Sequence, residues 1–290
     1  MHISFVHSES NAGNRICDVH EGLIGDTDLV FCDSFDLSAI DVLFLCGAHG
    51  KSGEFWQTHT KPQALKIIDL AQDYRDESCD YIYGLPEWQR GKIRNACKVA
   101  NPGCFATAIQ LSLLPLAAAG LLSGETEVTA ITGSTGAGVK PSASTHFSWR
   151  DNNVSSYKVF SHQHLKEICR NLRMAAGKDS KEPVINFVPV RGGFTRGIFA
   201  TAYTDCDLPE DDIRKMYEDF YADAAFTFVS AAPADLKQVI NTNKAVVHVE
   251  KCAGKAVITT VIDNLLKGAS GQAVQNMNII CGLNEKTGLK

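Results

Sequence analysis

The sequence predicts an α/β domain joined to an α+β domain, on three observations. The chain has 290 residues, which is about two domains' worth. Up to Ala100 it alternates short apolar runs rich in Val, Ile, Leu and Phe with polar segments, the pattern of buried parallel strands joined by helices or loops. Beyond Gly120, further strand-like runs interleaved with helical stretches read as a second, largely antiparallel sheet.

The first strands are expected at Ile3–His7, Leu29–Phe31, Val42–Cys46 and Ile67–Leu70. The third is the clearest, because Ile40–Cys46 is almost wholly apolar and ends in Gly47-Ala48-His49-Gly50. A glycine-bearing turn at a strand's carboxyl end is where open α/β sheets bind ligands. Asn101-Pro102-Gly103 then breaks the chain, and Cys104 opens a long apolar helix that Pro115 is expected to kink or shorten. A strand over Glu127–Thr132 runs into the loop Gly133-Ser134-Thr135-Gly136-Ala137-Gly138. A helix starting near His162 carries Leu165, Ile168, Cys169 and Leu172 at helical spacing and ends at Gly177. Val184–Val190, Ile198–Thr204, Phe226–Val229 and Ala245–Val249 complete the second sheet, with an amphipathic helix over Asp212–Tyr221 among them. Val257–Ile262 is either a strand or the lead into the last helix. No internal repeat or low-complexity linker appears, so the domain switch is placed near Gly103 on a chemical cue.

Hydrophobic residues at 44% and charged residues at 21% are the balance of a folded globular protein. A net charge of −5 supplies no basic field for nucleic acid or anionic lipid. The start MHISFVHSES lacks a basic region followed by an apolar one and a cleavage site, so a cytoplasmic location is expected. The most apolar stretch, Phe105 to Leu122, is interrupted by Thr107, Gln110, Ser112 and Pro115 and reads as a buried helix, not a membrane span. Ten cysteines without a C-x-x-C pair or an H-E-x-x-H helix point to free thiols, mostly in the core, and to no metal site.

Cys104 is the candidate nucleophile. A thiol just after a Pro-Gly turn, at a helix N-terminus, sits where unpaired N–H groups and the helix dipole favour thiolate. A cysteine alone is more often a core residue, so its company matters. Ser161-His162-Gln163-His164-Leu165-Lys166-Glu167 supplies two imidazoles, and Glu167 on the same helical face as His164 is expected to orient that ring and raise its basicity. Such a histidine suits proton transfer to and from a sulfur-bound intermediate. Arg75 and Arg196 are candidates for gripping a substrate anion, since a guanidinium binds carboxylate or phosphate bidentately. The Gly133–Gly138 loop offers close backbone approach and N–H donors, as an anion or nicotinamide site needs.

These residues carry a resemblance. Asn101-Pro102-Gly103-Cys104-Phe105-Ala106-Thr107, Gly133 to Gly138, His162-Gln163-His164 and Asp263-Asn264-Leu265 through Gly271-Gln272-Ala273-Val274-Gln275-Asn276 together resemble the N-acetyl-gamma-glutamyl-phosphate reductase family. Ser8-Glu9-Ser10-Asn11-Ala12-Gly13, Tyr83-Gly84-Leu85-Pro86-Glu87 and Arg196-Gly197-Ile198 fit the same family, and the matches run in order from about residue 5 to residue 282. The resemblance implies a Rossmann-type NADP domain over 1–103, a semialdehyde-dehydrogenase-like catalytic and dimerisation domain over 104–263, and a C-terminal helix, 264–290, returning to the first. It implies NADPH-dependent reduction of N-acetyl-L-glutamyl 5-phosphate to the semialdehyde in arginine biosynthesis, by a dimer or tetramer. Cys104 matches the nucleophile, His162 and His164 the paired active-site histidines, and Arg75 and Arg196 the substrate-anion binders. Ser8, Ser10, His49, Gly50, Gly136 and Asn264 match cofactor-facing positions.

One departure stands out. The family opens with a strand, a glycine-rich phosphate loop and a helix before the segment that starts here at Ile3, and no such loop precedes it. About one strand-loop-helix unit of roughly 30 residues is therefore expected to be missing, an N-terminally incomplete Rossmann fold, with a clipped reading frame favoured over a shortened variant. Two alternatives follow: an aspartate-semialdehyde dehydrogenase type of acyl-phosphate reductase, and a catalytically impaired fragment acting as a subunit or binding module.

Overall fold

The computed structural model describes residues 2–122, 124–177 and 180–290. The first hundred residues build two small parallel sheets. β1 (Val6–His7) pairs with β2 (Phe31–Cys32), and the one-turn helix α1 (Ile16–Val19) lies between them in sequence. β3 (Val42–Leu45), β4 (Lys66–Asp69), β5 (Ile82–Tyr83) and β6 (Lys98–Ala100) form the second sheet, in the order β3-β4-β6-β5. Its pairs are all parallel, so the chain must cross over between strands. Two of the crossovers carry helices, α2 (Lys51–Thr58) after β3 and α3 (Pro86–Arg94) after β5. Ile67 and Ile68, adjacent on β4, are both fully buried, which is why the strand reads as a continuous apolar run. The Ile3–His7 and Leu29–Phe31 expectations shrink to two-residue strands.

α4 (Cys104–Ala118) leaves the parallel sheet and is buried from Phe105 to Ala117. Pro115 neither ends it nor leaves a carbonyl stranded. The residue has no N–H for the Leu111 carbonyl, and the Tyr221 hydroxyl donates to that oxygen instead (2.6 Å). The helix therefore runs three residues past the proline because a tyrosine from a distant helix satisfies what the ring removed.

The large sheet holds β7 (Glu125–Thr132), β8 (Ser155–Ser156), β9 (Val184–Arg191), β10 (Ile198–Asp205), β11 (Thr227–Ser230), β12 (Ala245–Cys252) and β13 (Lys255–Ile262). Their order is β11-β12-β13-β10-β7-β9-β8. It is largely antiparallel as expected, but β7 with β9 and β11 with β12 run parallel. The ambiguous Val257–Ile262 run is a strand, β13. The short helix α5 (Phe147–Arg150) precedes β8. α6 (Leu165–Ala176) and α7 (Glu210–Tyr221) join α4 against the sheet, where Val128, Phe187, Ala200 and Ile258 are buried with α4's apolar side chains. The last helix, α8 (Ser270–Ile280), packs on the four-stranded sheet, its Ala273, Met277 and Ile280 meeting Ile68, Ile93 and Val99.

A buried ion pair ties these parts together. Glu87 Oε1, on α3, accepts from Lys267 Nζ (2.7 Å), just before α8, and from Thr227 Oγ1 (2.8 Å), on β11. The expectation that most cysteines lie in the core fails: only Cys17 and Cys206 are buried, while Cys46, Cys79, Cys97 and Cys252 are exposed. Among the described residues no helix is long and apolar enough to cross a membrane.

Candidate active site

The carboxyl ends of the parallel strands converge on the start of α4. His49 follows β3, Leu70 follows β4, and Asn101 follows β6; all three line one cleft with Cys104, His162 and His164. The opposite wall comes from Gly136, after β7, and from Asn264 and Gly268, after β13. The cleft thus lies at the strand ends where α/β sheets bind ligands, and it is closed by loops of the larger sheet.

Two glycines let the reacting groups approach. A Cβ on Gly103 would stand 2.4 Å from His164 Nε2 and 2.8 Å from an Arg75 guanidinium nitrogen. A Cβ on Gly268 would stand 2.9 Å from the Cys104 Cβ and 2.6 Å from the Asn264 carbonyl oxygen. Neither site has room for a methyl group.

Cys104 is half-buried as the first residue of α4. The sequence-based expectation of a stabilised thiolate needs correction here. Burial pushes the thiol up, and the opposing pull of the Phe105 N–H and the Arg75 charge does not overcome it. The free site therefore holds a thiol whose proton must leave as it attacks.

Glu167 also departs from expectation. Its carboxylate is buried and accepts from an Arg75 Nη1 (2.9 Å), from the Tyr83 hydroxyl (2.6 Å) and from the Gly103 N–H (3.2 Å). His164 Nε2 is 4.0 Å away, beyond a hydrogen bond. The helical i,i+3 neighbour thus braces the turn before Cys104 instead of orienting the ring, because Arg75 and Tyr83 reach it from the parallel sheet. A further chain extends this brace: Asn171 donates to Gln110 (2.9 Å), and Gln110 donates to Tyr83 Oη (2.7 Å).

Both imidazoles are neutral at pH 7. Burial, helped by the Arg75 charge, holds His164 well below the ordinary histidine range. Burial, then the charges of Lys158 and Arg191, pushes His162 down to about 4. The rings stand 4.6 Å apart and nearly perpendicular, with Phe105, Tyr157 and Phe187 around His162. His162 Nδ1 accepts from the His164 N–H (3.2 Å), so the neutral ring carries its proton on Nε2.

The other expected residues divide into two groups. His49, Arg75, Gly136 and Asn264 line the cleft. His49 Nδ1 accepts from the Gln72 N–H (3.2 Å), and Asn264 accepts from the Gly197 N–H (2.7 Å) while donating to Thr135 Oγ1 (3.0 Å). Ser8, Ser10, Gly50 and Arg196 do not line it. Ser8 and Ser10 are neighbours in the loop after β1, and the Gly50 N–H donates to Asp73 at the start of α2. Arg196 donates to the buried Asp263 (3.1 Å). Arg75 uses all three of its nitrogens: besides Glu167 it donates to the carbonyls of Asn101 (2.9 Å) and Leu70 (3.1 Å).

The Gly133–Gly138 loop brings its backbone close, but its donors are mostly spent. The N–H groups of Gly133, Ser134 and Thr135 bond to carbonyls of Gly197, Phe194 and Thr195, and those of Gly136 and Gly138 bond within the loop. Sequence reasoning also missed Tyr157, which lines the cleft without any local motif, and the roles of Gln163, which lines it, and Tyr83, which braces it, though both lay inside quoted motifs.

Comparison with known proteins agrees with this geometry. Residues 1–96 match the semialdehyde dehydrogenase NAD binding domain, and residues 104–264 match the semialdehyde dehydrogenase dimerisation domain. An N-acetyl-gamma-glutamyl-phosphate reductase of Azobacteroides pseudotrichonymphae is 59% identical over 100% of this chain and 90% of its own length. That of Parabacteroides distasonis is 55% identical over 99% of this chain and 89% of its own. In fold, the chain is similar to aspartate semialdehyde dehydrogenase II from Vibrio cholerae, with a TM-score of 0.72 at 17% identity over 96% of this chain and 90% of that one. Identity at this level over the full chain leaves one conclusion: the chain belongs to the N-acetyl-gamma-glutamyl-phosphate reductase family.

Proposed function

We propose that this enzyme carries out the NADPH-dependent reductive dephosphorylation of N-acetyl-L-glutamyl 5-phosphate to N-acetyl-L-glutamate 5-semialdehyde, a step of arginine biosynthesis, through a thioester on Cys104. The observation that carries the mechanism is a single cleft in which a helix-start thiol stands beside two neutral imidazoles, one with a fixed tautomer.

Cys104 Sγ attacks the acyl carbonyl while its proton passes to an imidazole nitrogen of His164, the ring with no carboxylate at hydrogen-bond distance. His162 is the wrong base, because its Nδ1 is occupied as an acceptor and its Nε2 already bears hydrogen. It is instead a donor for the oxygen that becomes negative in the tetrahedral intermediate. Phosphate leaves and the thioester remains. When bound, NADPH supplies the hydride that reduces this thioester. His164 then returns a proton to the oxygen as the thiohemiacetal forms and takes it back as the semialdehyde departs.

The cleft fits the nicotinamide end of that cofactor. It opens at the carboxyl ends of parallel strands, Gly268 brings backbone close to Cys104, and His49, Gly136 and Asn264 would hold the group there. We assign the division at Gly103/Cys104 to a cofactor domain and a catalytic domain, with 264–290 returning to the first. On the face of the large sheet away from α4, Thr129, Val188, Thr201, Tyr203 and Val257 are exposed or partly so, and the segment before β8, α5 included, exposes Val139, Phe147 and Trp149. With a dimerisation-domain match over the same region, this supports a homo-oligomer. Ten unpaired cysteines suit a reducing cytoplasm.

The test is direct. Purified enzyme should oxidise NADPH only in the presence of the acyl phosphate, releasing one phosphate per turnover, and β-aspartyl phosphate should not replace it. Absence of acyl-phosphate-dependent oxidation would overturn the reading.

A further inference from the structure

The substrate just assigned carries two anions, a carboxylate and a phosphate, yet both arginines expected to meet them already face a carboxylate of the protein. Arg75 is neutralised by Glu167, and Arg196 is paired with Asp263. Most of the N–H groups of the glycine loop are bonded to carbonyls. A guanidinium whose charge a buried carboxylate already neutralises offers an incoming anion less net attraction than an unpaired one.

Arg191 differs. It is the last residue of β9, set in register beside the cleft-lining Thr132 of β7, and it is half-buried. Its guanidinium lies over the ring of Tyr157, 4.8 Å from the centroid, and one Nη1 donates to the Ser134 carbonyl at a long 3.3 Å. Tyr157 lines the cleft and stands edge-on to His162 at 5.8 Å. Among the described residues no carboxylate lies within ion-pair distance of Arg191. Stacking on an aromatic ring fixes the plane of a guanidinium while leaving its in-plane donors for a bidentate partner.

We propose that Arg191, held beside the cleft on the lining residue Tyr157, is the residue that receives an anionic oxygen pair of the substrate, carboxylate or phosphate. The inference rests on the functional reading above. The charge of Arg191 reaches this site already, since it helps to depress His162.

The reverse reaction puts the two anions on separate molecules, the semialdehyde and inorganic phosphate, and so tells them apart. With NADP+ saturating, Arg191→Gln should raise the KM for one of them by about tenfold or more, with kcat within about threefold, the size of a lost charge-assisted hydrogen bond. A higher KM for semialdehyde assigns the carboxylate; a higher KM for phosphate assigns the phosphate. Arg191→Lys should fall between, because the charge stays and the fork is lost. A measurement without any variant accompanies these. Phenylglyoxal labelling of the wild-type enzyme, mapped by peptide, should show Arg191 protected by N-acetylglutamate or by inorganic phosphate. If both KM values are unchanged, or if Arg191 labels equally with and without both anions, the assignment is overturned. A wild-type enzyme that fails to reduce the acyl phosphate at all would instead remove the functional reading.

Discussion

The two walls of the cleft are each pinned by a buried carboxylate facing an arginine, but the carboxylates are used differently. On the wall beneath Cys104, Glu167 accepts from two side chains, Arg75 and Tyr83, and from one backbone N–H. On the opposite wall, Asp263 accepts from three backbone N–H groups, of Leu265, Leu266 and Asn241, and from Arg196, whose side chain is 30% exposed. The first carboxylate therefore sets charge next to the reacting groups, and the second sets the shape of a loop. Both sites look like ion pairs; only the first lies within the electrostatic surroundings of the thiol and the imidazoles.

The largest expected effect falls on the first wall. Cys104→Ser keeps the size of the side chain and should lower acyl-phosphate turnover by about four orders of magnitude or more, since the alcohol is a far weaker nucleophile here. Thermal stability and NADPH binding should stay near wild type. A serine enzyme with appreciable turnover would move the chemistry away from this residue.

The walls are set directly against each other by Glu167→Ala and Asp263→Ala. Removing Glu167 strands the Arg75 guanidinium, whose side chain is 7% exposed, and should cost about 3–5 kcal/mol. Removing Asp263 leaves Arg196 able to reach water and takes the acceptor from the N–H groups of Asn241, Leu265 and Leu266, none of them a buried residue, so the loss should be smaller, about 1–3 kcal/mol. Urea denaturation of both variants decides the order. If Asp263→Ala proves the more destabilising, the division of labour drawn here is wrong.

A smaller, sharper probe is Gly103→Ala. The added methyl collides with His164 and with Arg75. Turnover should drop by about a hundredfold, the size of one general acid–base group displaced, with the Cys104 thiol still alkylated at a rate comparable to wild type. Loss of alkylation together with turnover would show that the turn itself had collapsed.

How much of this was legible beforehand depended on whether the signal was local. α4 announced itself as a long apolar run after a chain break, α6 by its helical spacing, and the long strands of the large sheet by their apolar runs. β5 and β6, of two and three residues, carry none, so neither they nor α3 between them was expected. Cys104 and the histidine pair were legible because a Pro-Gly break before a helix and an H-x-H at a helix start are contiguous in sequence. The partner of Glu167 was misread for the opposite reason. Its helical neighbour His164 is three residues away, whereas Arg75 and Tyr83 arrive from 92 and 84 residues away and win the carboxylate. Arg191 gave no signal at all, since what singles it out is Tyr157 beneath it and the lack of a carboxylate beside it, both tertiary facts.

The smallest expected effect is a pH dependence that belongs to the first wall. His162 has an ordinary value of 6.5 and is pushed down to about 4 in the folded enzyme. Between those values the unfolded chain binds a proton that the folded one refuses, so stability rises with pH across the window and is lost as acid is added below 6.5. His164 is displaced in the same direction and acts with the same sign. By pH 5 the His162 contribution should amount to about 1–2 kcal/mol. Urea midpoints at pH 7 and pH 5 should therefore separate in the wild type and draw together in His162→Gln, which keeps a polar side chain but cannot take the proton. The same pair of pH values applied to Asp263→Ala should leave the wild-type separation intact, because that variant touches neither ring. Should the histidine variant keep the full separation, the acid lability originates elsewhere, and the assignment of His162 as a neutral Nε2 donor loses its physical support.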